Sequence, residues 1–372
     1  MDFNFSDDQE QLRDAVSKWV DKAYDFERRR AICRDERGFS PKAYAEIAGL
    51  GLCGLLISSD YDGMDMGPIE AMVAMEAMGS GIVLEPLAHT LLCSAIVQAY
   101  ADDEVKKAWL PRIADGSVLM VLAHQERGAR YHLDRCAAQA TPAANGYTIN
   151  GVKHVVPAGQ YAQAYLVNAQ LNGEMALFIV DATDSQIQRS SYITQDGSAA
   201  ADLDFQGVQA NLVTSQGQVA LEHAVDVGIA LNCAYAVGVM DKAFSLTAEY
   251  LSTRKQFGVA IGTFQALRHR LADMKMQLEL ARSMSYYATL RVNTSPDERR
   301  MAMARAKYQL GQSMRYVGQQ SVQLHGGIGV TDEYVASHYF KVLTQLEMVF
   351  GDSNHHLGEV SDRMQNAAGV FV

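Results

Sequence analysis

The sequence predicts an α+β protein built from a helical N-terminal part, a middle β-domain and a C-terminal helical bundle. Three observations predict this order: helical periodicity in the first third, short apolar segments between turn-forming pairs in the middle, and a long helical pattern afterwards. The expected domain boundaries are 1–115, 116–218 and 219–372. A chain of 372 residues is long enough for two or three packing units.

Start signals mark the helices of the N-terminal part. Ser6 and Gln9 form a capping-box pattern, and Ser40-Pro41 places a cap residue before a proline suited to the first helical turn. Further helices are predicted over three ranges: 68–79, 87–101 and 103–114.

The middle part contains three Asn-Gly pairs, which begin at Asn145, Asn150 and Asn172. Such pairs are typical of tight hairpin turns, because both residues tolerate a positive φ. They predict an antiparallel β-domain. Pro142 and Pro157 are expected at strand edges or in loops, since proline donates no backbone hydrogen bond.

A helical pattern resumes near residue 219 and continues to the end of the chain, interrupted near Pro296. One long helix is expected over residues 220–252, and another begins near Asp297. Long helices joined by short loops predict a C-terminal four-helix bundle.

Charge and cysteine content exclude several classes of protein. The 32 Lys and Arg residues against 43 Asp and Glu give a net charge of -11, which argues against nucleic acid as a partner. The five cysteines are odd in number and lack C-x-x-C spacing, so neither a disulfide framework nor a zinc site is expected. The acidic start lacks the features of a secretory signal, which favours a cytoplasmic protein. The apolar stretch between Glu85 and Asp102 is too short and too polar for a membrane span.

A basic motif, Arg254, Gln256 and Phe257, follows the long helix. Arginine offers paired hydrogen bonds to phosphate oxygens, and a phenyl ring can lie beside another flat ring, so this motif suits a pyrophosphate-bearing ligand. Taken alone, basic residues before a glycine are also ordinary chemistry for the end of a helix.

A glycine-rich motif follows the next helix, where Gln323 precedes Gly326 and Gly327. Glycines there either cap the helix or let backbone N–H groups approach a phosphate. The spacing is not that of the G-x-G-x-x-G nucleotide fingerprint, so a Rossmann domain is not predicted.

Titratable residues cluster near the C terminus. Adjacent residues such as His355 and His356 diverge by about 100° on a helix, and no metal-binding spacing is present, so no metal site is predicted. Asp352 or Ser353 is expected to cap the last helix.

The order and spacing of these motifs resemble the acyl-CoA dehydrogenase family along the whole chain. FNFSDDQEQLRDAV resembles the first helix of that family, and INGVKHVV resembles the I-N-G-x-K motif of its β-domain. EYLSTRKQFGVAIGTFQALRHRLADM is similar to its signature helix, loop and helix, and SVQLHGGIGVTDEY to its Q-x-x-G-G-x-G motif. The resemblance implies the acyl-CoA dehydrogenase fold and a non-covalent FAD at a subunit interface, hence an oligomer.

The resemblance also implies residue roles and a reaction. Arg254, Gln256 and Phe257 would contact the FAD pyrophosphate and ring edge, whereas the FAD of a neighbouring subunit would meet the second motif, Gln323, Gly326 and Gly327. A carboxylate base takes the α-proton of an acyl-CoA thioester, the β-hydride passes to the flavin, and an electron-transfer flavoprotein accepts the electrons.

This sequence departs from the family pattern at the catalytic base. The tail motif Y-E-G-T-x-Q of the family is FGDSNH here, which puts Gly351 at the base position, and a glycine cannot accept a proton. The other base position of the family, on the long helix, falls near Gly228, with Asp226 on another face of that helix. Asp352, next to the lost base, is the remaining weak candidate.

The β-domain segment that packs against the flavin in the family also differs. W-I-T-N of the family is Val155-Val156-Pro157-Ala158 here, and proline removes an N–H donor. The loop T-E-P-x-A-G-S-D is replaced by residues 125–130, QERGAR.

Four hypotheses follow. The first is an FAD-associated subunit of an α2β2 tetramer, in which a companion acyl-CoA dehydrogenase chain supplies the base. This hypothesis depends on a similarity to the smaller subunits of bacterial enzymes that act on pimeloyl-type or sterol side-chain substrates, carried by the segment HYFKVLTQLEMVFGDSNHHL. The second is an active homomer, such as a dimer, that uses Asp352. The third is a non-catalytic acyl-CoA-binding or scaffold protein, and the fourth is a flavin monooxygenase or oxidase. The small residues Gly79, Gly81 and Ala88 hint at room for a bulky acyl group.

Overall fold

The computed structural model describes residues 5–367, with side chains described as far as residue 364. The predicted order of a helical part, a β-domain and a second helical part is confirmed. The chain divides into two compact units. One unit contains the described residues up to Phe26, Met72–Val83 and those from Ile229 onwards; the other contains Glu27–Ala71 and Leu84–Gly228.

The N-terminal part is helical. Its helices are α1 (Asp7–Ala23), α2 (Phe26–Asp35), α3 (Pro41–Gly49), α4 (Pro68–Ser80), α5 (Leu87–Tyr100) and α6 (Asp103–Ala114). The capping box is confirmed, because Ser6 and Gln9 each accept a backbone N–H of the other. The Ser40 side chain caps α3 with Pro41 in its first turn, as predicted. The sequence did not predict α2, which is rich in arginine and follows α1 after only two residues.

The middle part is a seven-stranded sheet. Its strands are β1 (Met120–Ala123), β2 (Gln139–Ala143), β3 (Gly146–Pro157), β4 (Ala164–Leu171), β5 (Glu174–Asp181), β6 (Ile187–Ile193) and β7 (Ala199–Thr214). The long strand β7 pairs antiparallel with β3, β5 and β6, as expected. However, β4 pairs in parallel with both β1 and β2, so the sheet is mixed rather than wholly antiparallel. Because β4 also pairs with β5, the strands close into a ring around an apolar interior.

The Asn-Gly pairs take two different structures. Asn172 and Gly173 both have positive φ and form the tight turn between β4 and β5, as predicted. The pair at Asn150-Gly151 forms no turn. It lies inside β3, where a bulge shifts the register against β7, because a glycine with φ +151° also accommodates a bulge.

The C-terminal part is again helical. Its elements are α7 (Gly217–Thr253), the short strands β8 (Lys255–Gln256) and β9 (Val259–Ala260), and the helices α8 (Gln265–Arg291), α9 (Pro296–His325), α10 (Val335–Met348) and α11 (Ser353–Ala367). The apolar stretch of α7 is long enough to cross a membrane, but 83% of its most apolar window is buried inside the protein. Such burial is typical of a core helix.

Helices α4 and α7 approach closely within the first unit. A Cβ atom at Gly79 would overlap the carbonyl of Tyr235, and one at Gly238 would overlap the carbonyl of Glu76. A Cβ at Gly81 would lie 2.5 Å from a methyl group of Val20. These glycines therefore serve helix packing, and the hint of a roomy acyl cavity at residues 79 and 81 is wrong.

Candidate functional site

The segment Arg254–Phe257 forms an exposed hairpin directly after α7. The N–H of Arg254 still donates to the carbonyl of Tyr250 at 2.9 Å, and β8 and β9 then pair antiparallel. Phe257 and Gly258 form the tip with φ of +53° and +81°, the conformation of a tight hairpin turn. The side chains of Arg254 and Gln256 are exposed, and Phe257 is 91% exposed.

The glycine motif forms a second exposed surface. Helix α9 ends at His325, and Gly326 follows with φ +65°. Within residues 5–367, no atom beyond the chain neighbours lies within 4 Å of the position that a Cβ atom would occupy at Gly326 or Gly327, and Gln323 is exposed one turn earlier. Because these glycines have no side chain, a ligand can approach their backbone atoms to contact distance.

A ring contact links the helices that carry these two motifs, within one unit. The ring of Tyr250, one turn before Arg254, lies against the ring of His325 with 4.6 Å between centroids. An exposed guanidinium, an exposed phenyl ring and an open glycine backbone match what the pyrophosphate and ring system of FAD need. The residues present therefore fit this cofactor.

The tail loop between α10 and α11 has the opposite character. Gly351 is buried with φ +110°, a conformation that favours glycine. A Cβ atom there would lie 2.6 Å from Nε2 of His356 and 2.7 Å from Cδ2 of His355. The position that the resemblance gives to the base is therefore filled by histidine rings and closed to a larger side chain.

Asp352 acts as a helix cap. Its Oδ1 atom accepts the N–H of His355 at 2.8 Å, and its carbonyl accepts the N–H of His356 at 3.1 Å. Ser353, the first residue of α11, donates its N–H to Glu347 at 3.0 Å. The expected capping role of Asp352 is confirmed, and it commits one carboxylate oxygen to the backbone.

Positive charge surrounds the tail loop. The fully buried His356 shares a hydrogen bond with the carbonyl of Phe350 at 2.9 Å, and its pKa is lowered to about 2 by burial and by the nearby Lys307 and Arg300. Lys307, also buried, donates to the carbonyls of Leu346 and Glu347 at 2.7 and 2.9 Å. Burial lowers the pKa of Lys307 to about 8.

The alternative base position is also without a carboxylate. Gly228 lies buried in α7, in the second unit. Asp226 is buried two residues earlier, on another face of the helix. Neither position where the resemblance puts a base therefore carries a proton acceptor.

The segment that replaces W-I-T-N is held in an unusual conformation. Val155 has φ +52°, which is rare for a β-branched residue, and its N–H donates to Asp202 at 3.0 Å. Asp202 also contacts Nδ1 of His154 at 2.7 Å and accepts the hydroxyl of Tyr192 at 2.8 Å. Partial burial raises the pKa of Asp202, but these hydrogen bonds outweigh it and lower the pKa overall. No pattern in the sequence indicates this cluster, because its members lie on three separate strands.

A buried ion pair fixes the neighbouring loop. Lys153 is fully buried, and its Nζ lies 2.7 Å from Oε1 of Glu126 and 2.8 Å from Oδ1 of Asn168. Glu126 belongs to the altered loop 125–130, so the ion pair ties that loop to β3. Among the described residues, no group of three or more His, Cys, Asp or Glu side chains is placed to hold a metal ion.

Comparisons with known proteins agree with this geometry. The family model described as "Acyl-CoA dehydrogenase, N-terminal domain" matches residues 6–117, and that described as "Acyl-CoA dehydrogenase, C-terminal domain" matches residues 215–365. The acyl-CoA dehydrogenase FadE27 of Mycobacterium tuberculosis is 24% identical over 97% of this chain and 98% of its own length. The acyl-CoA dehydrogenase fadE12 of Mycobacterium bovis is 28% identical over 88% of each chain.

A solved structure of the steroid ACAD Tcur3481-Tcur3483 is similar throughout, with a TM-score of 0.90 and 27% identity over 97% of this chain and 99% of that one. The chain belongs to the acyl-CoA dehydrogenase family. It is a member of a class of FAD-dependent oxidoreductases that act on CH–CH bonds.

Proposed function

We propose that this chain is the base-lacking subunit of a heteromeric FAD-dependent acyl-CoA dehydrogenase. The observation that carries the proposal is Gly351, where φ +110° and a ring atom of His356 only 2.6 Å from the position of a Cβ atom disfavour glutamate. In a chain that lacks the base, the surrounding residues can pack against glycine, and that packing then favours glycine at this position. A companion chain of the same family then supplies the carboxylate.

The residues of this chain bind and orient the cofactor. Arg254 would pair with phosphate oxygens, the open backbone at Gly326 and Gly327 would accept close approach of the pyrophosphate, and Phe257 would lie beside a flat ring edge. FAD, when bound, accepts the hydride equivalent from the β-carbon of the acyl-CoA thioester. The electrons then pass to an electron-transfer flavoprotein, as in the family pattern.

Two features support a heteromer over an active homomer. The carboxylate of Asp352 is engaged as the cap of α11, and its shorter side chain would have to reach the substrate from the wrong position in the loop. The steroid ACAD relative is named as a pair of proteins, which is compatible with a two-chain enzyme.

A flavin-free scaffold is the less favoured alternative. Phe257 at the hairpin tip contacts Phe264 with 6.2 Å between ring centroids but stays 91% exposed. Among the described residues, no atom beyond the chain neighbours covers the Cβ position of Gly327. The open surface therefore favours a chain that still holds FAD.

The test is to purify the chain alone and together with the protein encoded beside it, and to measure visible absorption, native mass and acyl-CoA dehydrogenation. We expect flavin, a tetramer and activity with the companion, and no activity from the chain alone. A yellow and active homomer would overturn the proposal. Asp352→Asn would then be made in that homomer, and lost turnover with retained FAD would identify Asp352 as its base.

A further inference from the structure

His325 joins the two cofactor motifs of the chain. It is the last residue of α9, 3% exposed, and it lies directly before Gly326. Its ring contacts Tyr250 at 4.6 Å and Tyr334 at 5.1 Å between centroids. Tyr250 belongs to the last turns of α7, before Arg254, and Tyr334 precedes α10. One buried ring thus connects three elements that enclose the exposed surface.

Both ring nitrogens of His325 have partners. Nδ1 lies 2.8 Å from the carbonyl of Ser321, which can only accept, so Nδ1 carries the proton. Nε2 lies 3.3 Å from the hydroxyl of Tyr334, which donates to it in this tautomer. Burial lowers the pKa of His325 and keeps the ring neutral, although the bond to Ser321 acts in the other direction. The two hydrogen bonds fix the ring plane and hence its contact with Tyr250.

We propose that His325 is a positioning residue for FAD, acting as a pin that holds the Arg254 hairpin and the Gly326–Gly327 backbone at a fixed separation. The inference rests on the proposed function, and it takes both motifs to hold one FAD. The contact between Tyr250 and His325 joins the two segments, whereas the resemblance assigned the second motif to the FAD of a neighbouring subunit. The exposed faces of the two motifs have little packing to set this separation. Phe257 contacts Phe264 in its own segment with 6.2 Å between ring centroids, and among the described residues no atom beyond the chain neighbours lies within 4 Å of a Cβ position at Gly326. The buried ring behind them supplies that constraint.

The experiment measures the FAD dissociation constant of the purified oligomer, with the thermal unfolding midpoint of the flavin-free chain alongside. His325→Ala removes the ring and both hydrogen bonds, and we expect FAD to bind at least about tenfold more weakly. His325→Phe keeps the ring contacts and should recover part of that loss. Tyr334→Phe removes a single hydroxyl from a half-buried ring, so it tests the hydrogen bond to His325 with little effect on folding.

Tyr316→Phe is the matched control. Its hydroxyl donates to Asp273 at 3.3 Å, about two turns of α9 before Gln323, and its loss should leave FAD binding unchanged. We expect Tyr334→Phe to weaken FAD by about threefold to tenfold relative to this control, with equal unfolding midpoints. Equal FAD affinity in the two variants would overturn the pin.

The outcomes separate this inference from the proposed function. If the wild-type oligomer binds no FAD, the proposed function fails and the pin fails with it. If the wild-type oligomer binds FAD and Tyr334→Phe binds it equally well, only the pin fails. A weaker affinity in Tyr334→Phe with an unchanged midpoint supports the positioning role, since a merely structural residue would lower both.

Discussion

The proposed FAD surface and the tail loop lie in the same compact unit and differ in exposure and packing. At the first, Phe257 and Gly326 are exposed and the space beside them is open. At the second, Gly351 is buried and the space beside it is filled by the ring of His356. Glycine is present in both places, for opposite reasons: Gly326 leaves room for a ligand, and Gly351 leaves room for the protein itself. This contrast is what the proposed base-lacking subunit requires: an open surface for FAD and a filled space at the base position.

The largest effect is expected from Gly351→Glu, which restores the family's base residue at its position. The positive φ and the overlap with His356 should lower the free energy of unfolding by about 2–5 kcal/mol. Urea denaturation of the flavin-free chain measures this. Gly358→Glu is the matched control, because Gly358 lies in α11 with no atom near its Cβ position and should tolerate glutamate. A Gly351→Glu chain as stable as this control would mean that the loop is not closed.

Arg254→Ala tests the open surface. Loss of paired hydrogen bonds from a charged group to phosphate should weaken FAD binding by about 10- to 100-fold. Stability of the flavin-free chain should stay the same, because the side chain is exposed. Titration of FAD into the oligomer gives the dissociation constant, with Arg291→Ala, which removes an arginine from the end of α8, as the control. Equal FAD affinities in Arg254→Ala and Arg291→Ala would show that Arg254 does not contact FAD.

Acid should weaken the tail loop more than the open surface. The unfolded chain protonates His356 near the ordinary histidine pKa of about 6.5, whereas the folded chain holds that pKa at about 2. Stability therefore falls as pH decreases below about 6.5, by about 2 kcal/mol from this residue at pH 5. His356→Phe should reduce this pH-dependent loss, as measured by urea denaturation at pH 5 and 7. The same substitution at the exposed His269 should not reduce it.

The smallest effect is expected from Phe257→Ala. With 91% of the residue exposed, its loss should not change the free energy of unfolding, yet FAD should bind about threefold to tenfold more weakly. Met364→Ala, another exposed apolar residue, serves as the control for both measurements. A clear loss of stability in Phe257→Ala would show that the ring serves the fold rather than a ligand.

Local patterns predicted much of the fold. The capping residues Ser6, Ser40 and Asp352 lie where helices begin, because a cap acts within one turn of its own position. The pair Asn150-Gly151 misled the prediction, since a bulge and a turn use the same residue types. The parallel pairing of β4 with β1 and β2 could not be predicted from local sequence patterns, because it depends on which strands lie side by side in the closed sheet.

The candidate site was predictable only in part. The motifs around Arg254 and Gly326 are contiguous, so the sequence displays them. The pin at His325 was not visible, because Tyr250 lies far earlier in the chain and no periodicity links them. The closure at Gly351 was also hidden: the sequence shows that the base is missing, but not that a histidine ring fills its space.

The close crossing of α4 and α7 has a consequence for sequence tolerance. Because a side chain at Gly79 or Gly238 would overlap a carbonyl of the opposite helix, neither position accepts even alanine without parting the helices. A library that randomises these two positions should return glycine alone. Mutagenesis that aims to change acyl specificity must therefore leave Gly79 and Gly238 unchanged. In relatives with the same helix crossing, we expect sequence variation at the neighbouring residues rather than at these two glycines.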